Sequence, residues 1–231
     1  NSFSSVNAVP VIPAFFSNLL KSDPKHTVCS TMKVDPPTST TQGVKTLLTG
    51  GMRSFLELGQ TFFSSSLTSD HWLRQLKSYR NLSIAHTGDY VWRELGGDVF
   101  SNDLKESDSF DVYVDDTEDI QEALESFVTS TTDVLIIHSL LVDHNAHRTS
   151  TSSPSHHAIY DALLKFNKHL SYITSHLPTN TLLLVFGDHG LSAWGNHGGA
   201  TYDEVTTGIC AYSSSYELQP FTVGESFFYS S

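Results

Sequence analysis

The chain has 231 residues, 39% of them hydrophobic and 16% charged, a balance too apolar and too weakly charged for disorder. Thirteen Lys and Arg against 25 Asp and Glu give a formal net charge of −12, which argues against nucleic-acid or anionic-membrane binding driven by net charge. No run reaches the ~18 apolar residues of a membrane helix, and a chain of this length can bury roughly 70% of its unfolded surface in one domain.

Residues 1–36 carry the breakers Pro10, Pro13, Pro24 and Pro36, and Pro37 follows. Residues 1–33 therefore read as an irregular lead-in with one short helical piece at 15–20. A Ser/Thr cluster, Thr38-Ser39-Thr40-Thr41, precedes a helix over 41–48. Met52, Phe55, Leu58 and Phe62 predict a helix over 52–63, and Trp72, Leu73, Leu76 and Tyr79 another over 70–80. Residues 82–85 read as a short strand. The acidic run Asp115-Asp116-Thr117-Glu118-Asp119 reads as a solvated helix start, followed by the stripe Ile120, Leu124 and Phe127. Ile159, Leu163, Phe166, Leu170 and Ile173 predict a long helix with His156, His157, His169 and His176 at the surface. The apolar runs 134–137, 182–186 and 209–212 read as buried strands. Helix and strand alternate, so the class is α/β with a mainly parallel sheet flanked by helices, one domain over 1–231.

Cys29 and Cys210 are too few for a disulfide framework, and one bridge or two thiols both fit.

In such folds ligands bind beyond the C-terminal ends of the strands, and two strands end in metal-ligand residue types. The run 134–137 leads through His138 to Asp143-His144-Asn145-Ala146-His147. The run 182–186 leads to Gly187-Asp188-His189-Gly190, and then to Gly195-Asn196-His197-Gly198-Gly199. Carboxylates with neutral imidazoles suit zinc or a similar divalent ion. A hydroxyl at the start of the 41–48 helix faces backbone amides and a positive dipole end, which favours bound phosphate or an alkoxide. Together these elements point to a two-metal phosphoryl-transfer site with a Thr nucleophile.

The order of a Thr nucleophile, Asp-x-x-x-His, Asp-His-Gly and Gly-x-His-Gly-Gly resembles the alkaline phosphatase superfamily. With Val34-Asp35-Pro36-Pro37-Thr38-Ser39-Thr40, Thr87-Gly88-Asp89-Tyr90-Val91-Trp92 and Asp203-Glu204-Val205, it is similar to the luminal domain of the GPI ethanolamine-phosphate transferases that act on the second or third mannose. The resemblance covers about residues 34–212. It implies an alkaline-phosphatase-like fold and two divalent ions, zinc foremost. One would be held by Asp143, His147 and His197, the other by Asp188 and His189. The family's spacing, fourteen residues from Pro37 to Gly50, places the nucleophile at Thr40 rather than Thr38.

The implied reaction moves phosphoethanolamine from phosphatidylethanolamine to a mannose of the GPI-precursor glycolipid. It takes place at the endoplasmic reticulum membrane with the domain facing the lumen. The membrane would be reached through segments absent here, beside a small membrane-protein subunit and with no nucleic acid. In a lumen, the sequon Asn81-Leu82-Ser83 becomes a glycosylation candidate. One departure matters. The family's earlier strand, ending in an Asp that also binds the second metal, has no counterpart before Thr40, since neither Asp23 nor Asp35 follows an apolar strand. The domain is thus expected to be incomplete at its N-terminus, with its first strand missing. A phosphodiesterase-type hydrolase of the same superfamily and an inactive metal-binding homologue are the competing readings. A sulfatase would need a formylglycine-type context that neither cysteine has.

Overall fold

A computed structural model describes residues 14–52, 67, 70–100, 106–107, 111, 113, 115–149 and 157–219. Along the chain lie α1 (Ala14–Ser22), β1 (Thr27–Lys33), α2 (Thr40–Thr49), α3 (Trp72–Arg80), β2 (Ile84–Asp89) and α4 (Val91–Gly96). There follow β3 (Glu106–Ser107), α5 (Thr117–Thr129), β4 (Val134–His138), α6 (Leu141–Thr149), α7 (His157–His176), β5 (Leu183–Phe186), α8 (Tyr202–Val205) and β6 (Thr206–Tyr212). The helix expected over 52–63 lies, apart from Met52, outside the described residues.

The α/β class holds, and the strands divide into two sheets of opposite character. β3–β2–β4 is parallel, with Ile84 opposite Val134 and Gly88 opposite His138. In β1–β6–β5, β6 runs antiparallel to both neighbours. Parallel pairing of consecutive strands needs a crossover, usually a helix. Between β5 and β6 the chain instead forms the loop that carries Asp188, His189 and His197 and the single turn α8.

The lead-in expected over 1–33 is corrected in its described part, which is helix α1 and strand β1. The sequence of β1 is Thr-Val-Cys-Ser-Thr-Met-Lys, too polar to signal a strand alone. Its strand character comes from pairing with β6, far along the chain, in a register that sets Cys29 opposite Cys210. A disulfide joins that pair. Strand β2 also outruns expectation. It is buried along its whole length although it includes His86, Thr87 and Asp89, because neighbours flank it on both sides.

Three apolar clusters hold the elements. Val44 and Leu48 of α2 meet Leu73 of α3, Ile84 of β2, and Val91, Trp92 and Leu95 of α4. Ile120 and Leu124 of α5 meet Ile173 of α7, against Leu135, Ile137 and Leu183 from β4 and β5. Phe16 of α1, Leu170 of α7 and Cys210 form the third. Burying each such side chain contributes about 1.5–3 kcal/mol. Two surface assignments are corrected by this packing: Asp116 is buried at 1% exposure and His169 at 6%. Burial holds the His169 imidazole below its ordinary pKa.

Gly88 has φ +97°, and a Cβ there would lie 2.0 Å from the His138 carbonyl oxygen. Only glycine lets β2 run this close to the end of β4. Just beyond, Trp92 Nε1–H donates to His138 Nδ1 at 3.0 Å.

Fully buried His86, beside Trp92 and Phe100, has its pKa lowered to about 3, chiefly by desolvation. The unfolded imidazole takes up a proton near 6.5 and the folded one does not. Stability is therefore expected to fall as pH drops from about 6.5 toward 3. His86→Leu should flatten that slope by up to about 1.4 kcal/mol per pH unit in urea titrations. An unchanged slope would show that His86 is protonated in the fold.

Candidate metal centre

Helix α6 starts just beyond β4, and its Asp143 and His147, four residues apart, share one helix face. His147 Nε2 lies 3.2 Å from Asp143 Oδ2. His197 arrives from the loop after β5 and sets Nε2 3.6 Å from Asp143 Oδ1. One ligand atom from each of Asp143, His147 and His197 falls within 4.8 Å of the others. Zinc–ligand bonds of about 2.0–2.2 Å place paired ligands ~3.4 Å apart, so the group has the right size for one ion.

Two further observations test the fit. Asp143 Oδ1 is buried without a hydrogen bond, a costly state for an anionic oxygen that a bound cation relieves. The His197 Nδ1 lies 2.6 Å from the Thr38 carbonyl oxygen. A carbonyl only accepts, so Nδ1 carries the proton and Nε2 keeps a lone pair toward Asp143. Desolvation, with His189 alongside, holds His197 below its ordinary pKa and hence neutral. A neutral imidazole braced on a backbone carbonyl is the usual form of a metal-binding histidine. The residues present therefore fit a divalent ion.

Asp188 and His189 stand next to this group. His189 Nδ1–H donates to the Gly190 carbonyl at 3.0 Å, and its Nε2 is 3.4 Å from Asp188 Oδ2. The His189 and His197 rings stack with centroids 3.9 Å apart. The five predicted ligand residues thus form one connected cluster. Among the described residues only Asp143, His147 and His197 make a group of three; Asp188 and His189 remain a pair. Asp23 is turned to His26, 2.7 Å away, and Asp35 is exposed.

Thr40 is the first residue of α2, a ten-residue helix whose N-cap Ser39 makes no side-chain cap. Its neighbour Thr38 is completely buried. The Thr38 hydroxyl donates to the Gly199 carbonyl at 3.1 Å and accepts from the Gly198 N–H at 2.8 Å. With its own carbonyl on His197, Thr38 locks the 195–199 loop to the start of α2. Spacing arguments about the nucleophile gave no sign of this role, because the partners lie 159–161 residues away.

Glu204 closes the loop from the other side. Its carboxylate accepts from the Gly199 and Thr201 N–H groups, both at 3.0 Å, and from the Thr201 hydroxyl at 2.6 Å. These bonds, the Thr201 hydroxyl first, hold the carboxyl below its ordinary pKa. Glycine is required at 190, where a Cβ would meet the Asp203 carbonyl oxygen at 2.0 Å.

No protein-family model matches the chain. GPI ethanolamine phosphate transferase 3 of Schizosaccharomyces pombe is 32% identical over 195 residues, 82% of this chain and 21% of that protein. The catalytic subunit of the Mus musculus transferase 3 is 33% identical over 198 residues, 84% of this chain and 18% of that protein. The chain spans about one fifth of the length of these relatives. Among solved structures, the C-terminal periplasmic domain of EcEptC from Escherichia coli aligns with a TM-score of 0.53 at 11% identity, covering 87% of this chain and 65% of that one. The same domain, in a structure described as a complex with Zn, aligns at 0.52 and 11% identity over 87% and 66% of the two chains. At that identity the likeness concerns the fold, which is alkaline-phosphatase-like.

Proposed function

This chain is a relative of the GPI ethanolamine phosphate transferases across about one fifth of their length, and on that premise we propose that it is part of the luminal catalytic domain of such an enzyme. The donor is phosphatidylethanolamine and the acceptor a mannose hydroxyl of the GPI-precursor glycolipid. The Thr40 oxygen attacks the donor phosphorus, the bond to the diacylglycerol oxygen breaks, and diacylglycerol leaves with a proton. Phosphoethanolamine is then an ester of Thr40. The mannose hydroxyl attacks the same phosphorus, and Thr40 recovers its hydroxyl.

Asp143, His147 and His197 would hold one divalent ion, zinc by the ligand chemistry. Asp188 and His189 would contribute to a second. Bound ions supply Lewis-acid charge neutralisation at phosphorus-bound oxygens and lower the pKa of a nearby hydroxyl. The chain's own part is orientation: Thr38 fixes His197 against the start of α2, and the N-terminal amides of α2 would be available to a phosphate bound there.

The observation that carries this reading is the convergence of Asp143, His147 and His197 within 4.8 Å, tied through Thr38 to the helix that begins at Thr40. The commitment of the Thr38 hydroxyl to Gly198 and Gly199 favours Thr40 over Thr38. A luminal location fits the Cys29–Cys210 bridge, since disulfides persist in oxidising compartments. Asn81, exposed at the end of α3, is then a glycan acceptor. Membrane attachment and a small membrane-protein subunit belong to the whole enzyme.

The test is a quenched turnover of the full-length enzyme with phosphatidylethanolamine, followed by peptide mass spectrometry. A phosphoethanolamine adduct on Thr40 is expected. Thr40→Ala should lose the adduct and at least about 1,000-fold in transfer rate. Undiminished transfer by Thr40→Ala sinks the mechanism, and release to water in preference to a GPI-like acceptor makes the enzyme a hydrolase.

A further inference from the structure

Asp116 occupies an unusual position. It is the N-cap residue of α5, and its carbonyl accepts the Ile120 N–H at 3.0 Å, yet its side chain makes no cap on that helix. The carboxylate instead crosses to the corner between β4 and α6. One oxygen accepts the Leu140 N–H at 2.9 Å and the other accepts the Ser139 hydroxyl at 3.3 Å. Ser139 Oγ in turn accepts the Leu141 N–H at 3.3 Å, and the Leu140 carbonyl accepts the His144 N–H at 2.8 Å, closing the first turn. Of the amides at the start of α6, that of Leu140 is thus taken by Asp116, 24 positions upstream, and that of Leu141 by Ser139, which Asp116 itself holds.

Helix α6 is nine residues long and carries both Asp143 and His147. A helix this short gains little from its own hydrogen bonds and depends on external contacts for its placement. Asp116 is 1% exposed, so its geometry is set by packing. Desolvation pushes its carboxyl up while the Leu140 and Ser139 bonds favour the ionised form, as does the positive end of α6. The adjacent Asp115 points elsewhere, to Lys165 of α7 at 2.5 Å.

We infer that Asp116 is a positioning residue for the metal centre: its carboxylate caps α6 across the β4–α6 corner and thereby sets where Asp143 and His147 present their ligand atoms. The inference rests on the reading of Asp143, His147 and His197 as ligands. It extends that reading to an acidic residue that touches none of them.

The test titrates the metal-stripped chain with Co2+, following its visible d–d absorption and, by calorimetry, its affinity. Asp116→Ala should bind about 10–100-fold more weakly, the range found for outer partners of metal ligands, with an altered cobalt spectrum. Asp116→Asn, which keeps an acceptor for the Leu140 N–H, should recover most of the affinity. Ser139→Ala, a milder change at the same corner, should weaken binding by about 10-fold, the lower end of that range. Leu170→Ala, which destabilises a core cluster containing none of the five ligands, controls for stability alone and should bind as wild type. Wild-type affinity and spectrum in a folded Asp116→Ala overturn the inference. If that variant does not fold, unchanged binding by Ser139→Ala overturns it instead. Asp143→Ala is run alongside. Undiminished binding by Asp143→Ala removes the ligand reading itself, a failure distinct from that of Asp116.

Discussion

Alanine at Asp143 or at His197 is expected to leave the purified chain without zinc, where the wild type holds about one ion per chain. Each substitution deletes one of three candidate ligands that meet within 4.8 Å. Since loss of an outer partner alone weakens metal binding about 10–100-fold, loss of a ligand should exceed about 100-fold. Mass-spectrometric metal analysis after dialysis reads the effect directly. Stability without metal separates a ligand from a structural residue. Asp143 Oδ1 is a buried anionic oxygen with no hydrogen bond, and the nearby His147 and the neutral His197 are modest compensation for it. Metal-free Asp143→Ala should therefore unfold within about 1 kcal/mol of metal-free wild type. Zinc at wild-type stoichiometry in both variants would eliminate the centre. A large loss of metal-free stability would make Asp143 a structural residue instead.

The second large effect is expected at the disulfide. Cys29 and Cys210 are 181 positions apart, and the chain-entropy account of closing such a loop gives about 5 kcal/mol of stabilisation. A domain of ordinary stability has about 5–15 kcal/mol in all, so Cys29→Ala with Cys210→Ala should leave it marginally folded. Denaturant midpoints with and without a reductant, on wild type and double variant, give the comparison. Reductant should lower the wild-type midpoint to that of the double variant and leave the variant unmoved. Equal wild-type midpoints under both conditions would mean that the bridge does not restrict the unfolded chain.

What could be read from the sequence was local or periodic. The stripe from Ile159 to Ile173 is α7, and the apolar runs at 134–137 and 182–186 are β4 and β5, since apolar patterning is a property of the segment alone. The burial expected of those strands is corrected: β4 is partly buried, and Leu182, Leu184 and Phe186 are exposed. Ligand types at the exits of those strands marked Asp143, His147, Asp188, His189 and His197, and the fold draws all five into one cluster. What could not be read depends on a distant partner. Strand β1 exists through β6, and Thr38 is polar yet fully buried because the 197–199 loop comes to it. Asp116 looked like a solvated acid because nothing local reveals that the β4–α6 corner lies against it. The antiparallel course of β6 has the same origin, for no periodicity encodes the direction in which a strand returns.

The Cys29–Cys210 bridge also has a topological consequence. Thr40 and all five candidate ligand residues lie between the two cysteines, so they belong to one covalent ring. A protease that cuts the backbone once anywhere inside that ring opens it without releasing a piece. The nicked chain keeps its full mass on a non-reducing gel and separates into two bands only when the thiols are freed. A single cut outside the ring detaches a terminal peptide under either condition. The pair of gels therefore sorts cleavage sites into those that share the ring with the ligands and those that do not.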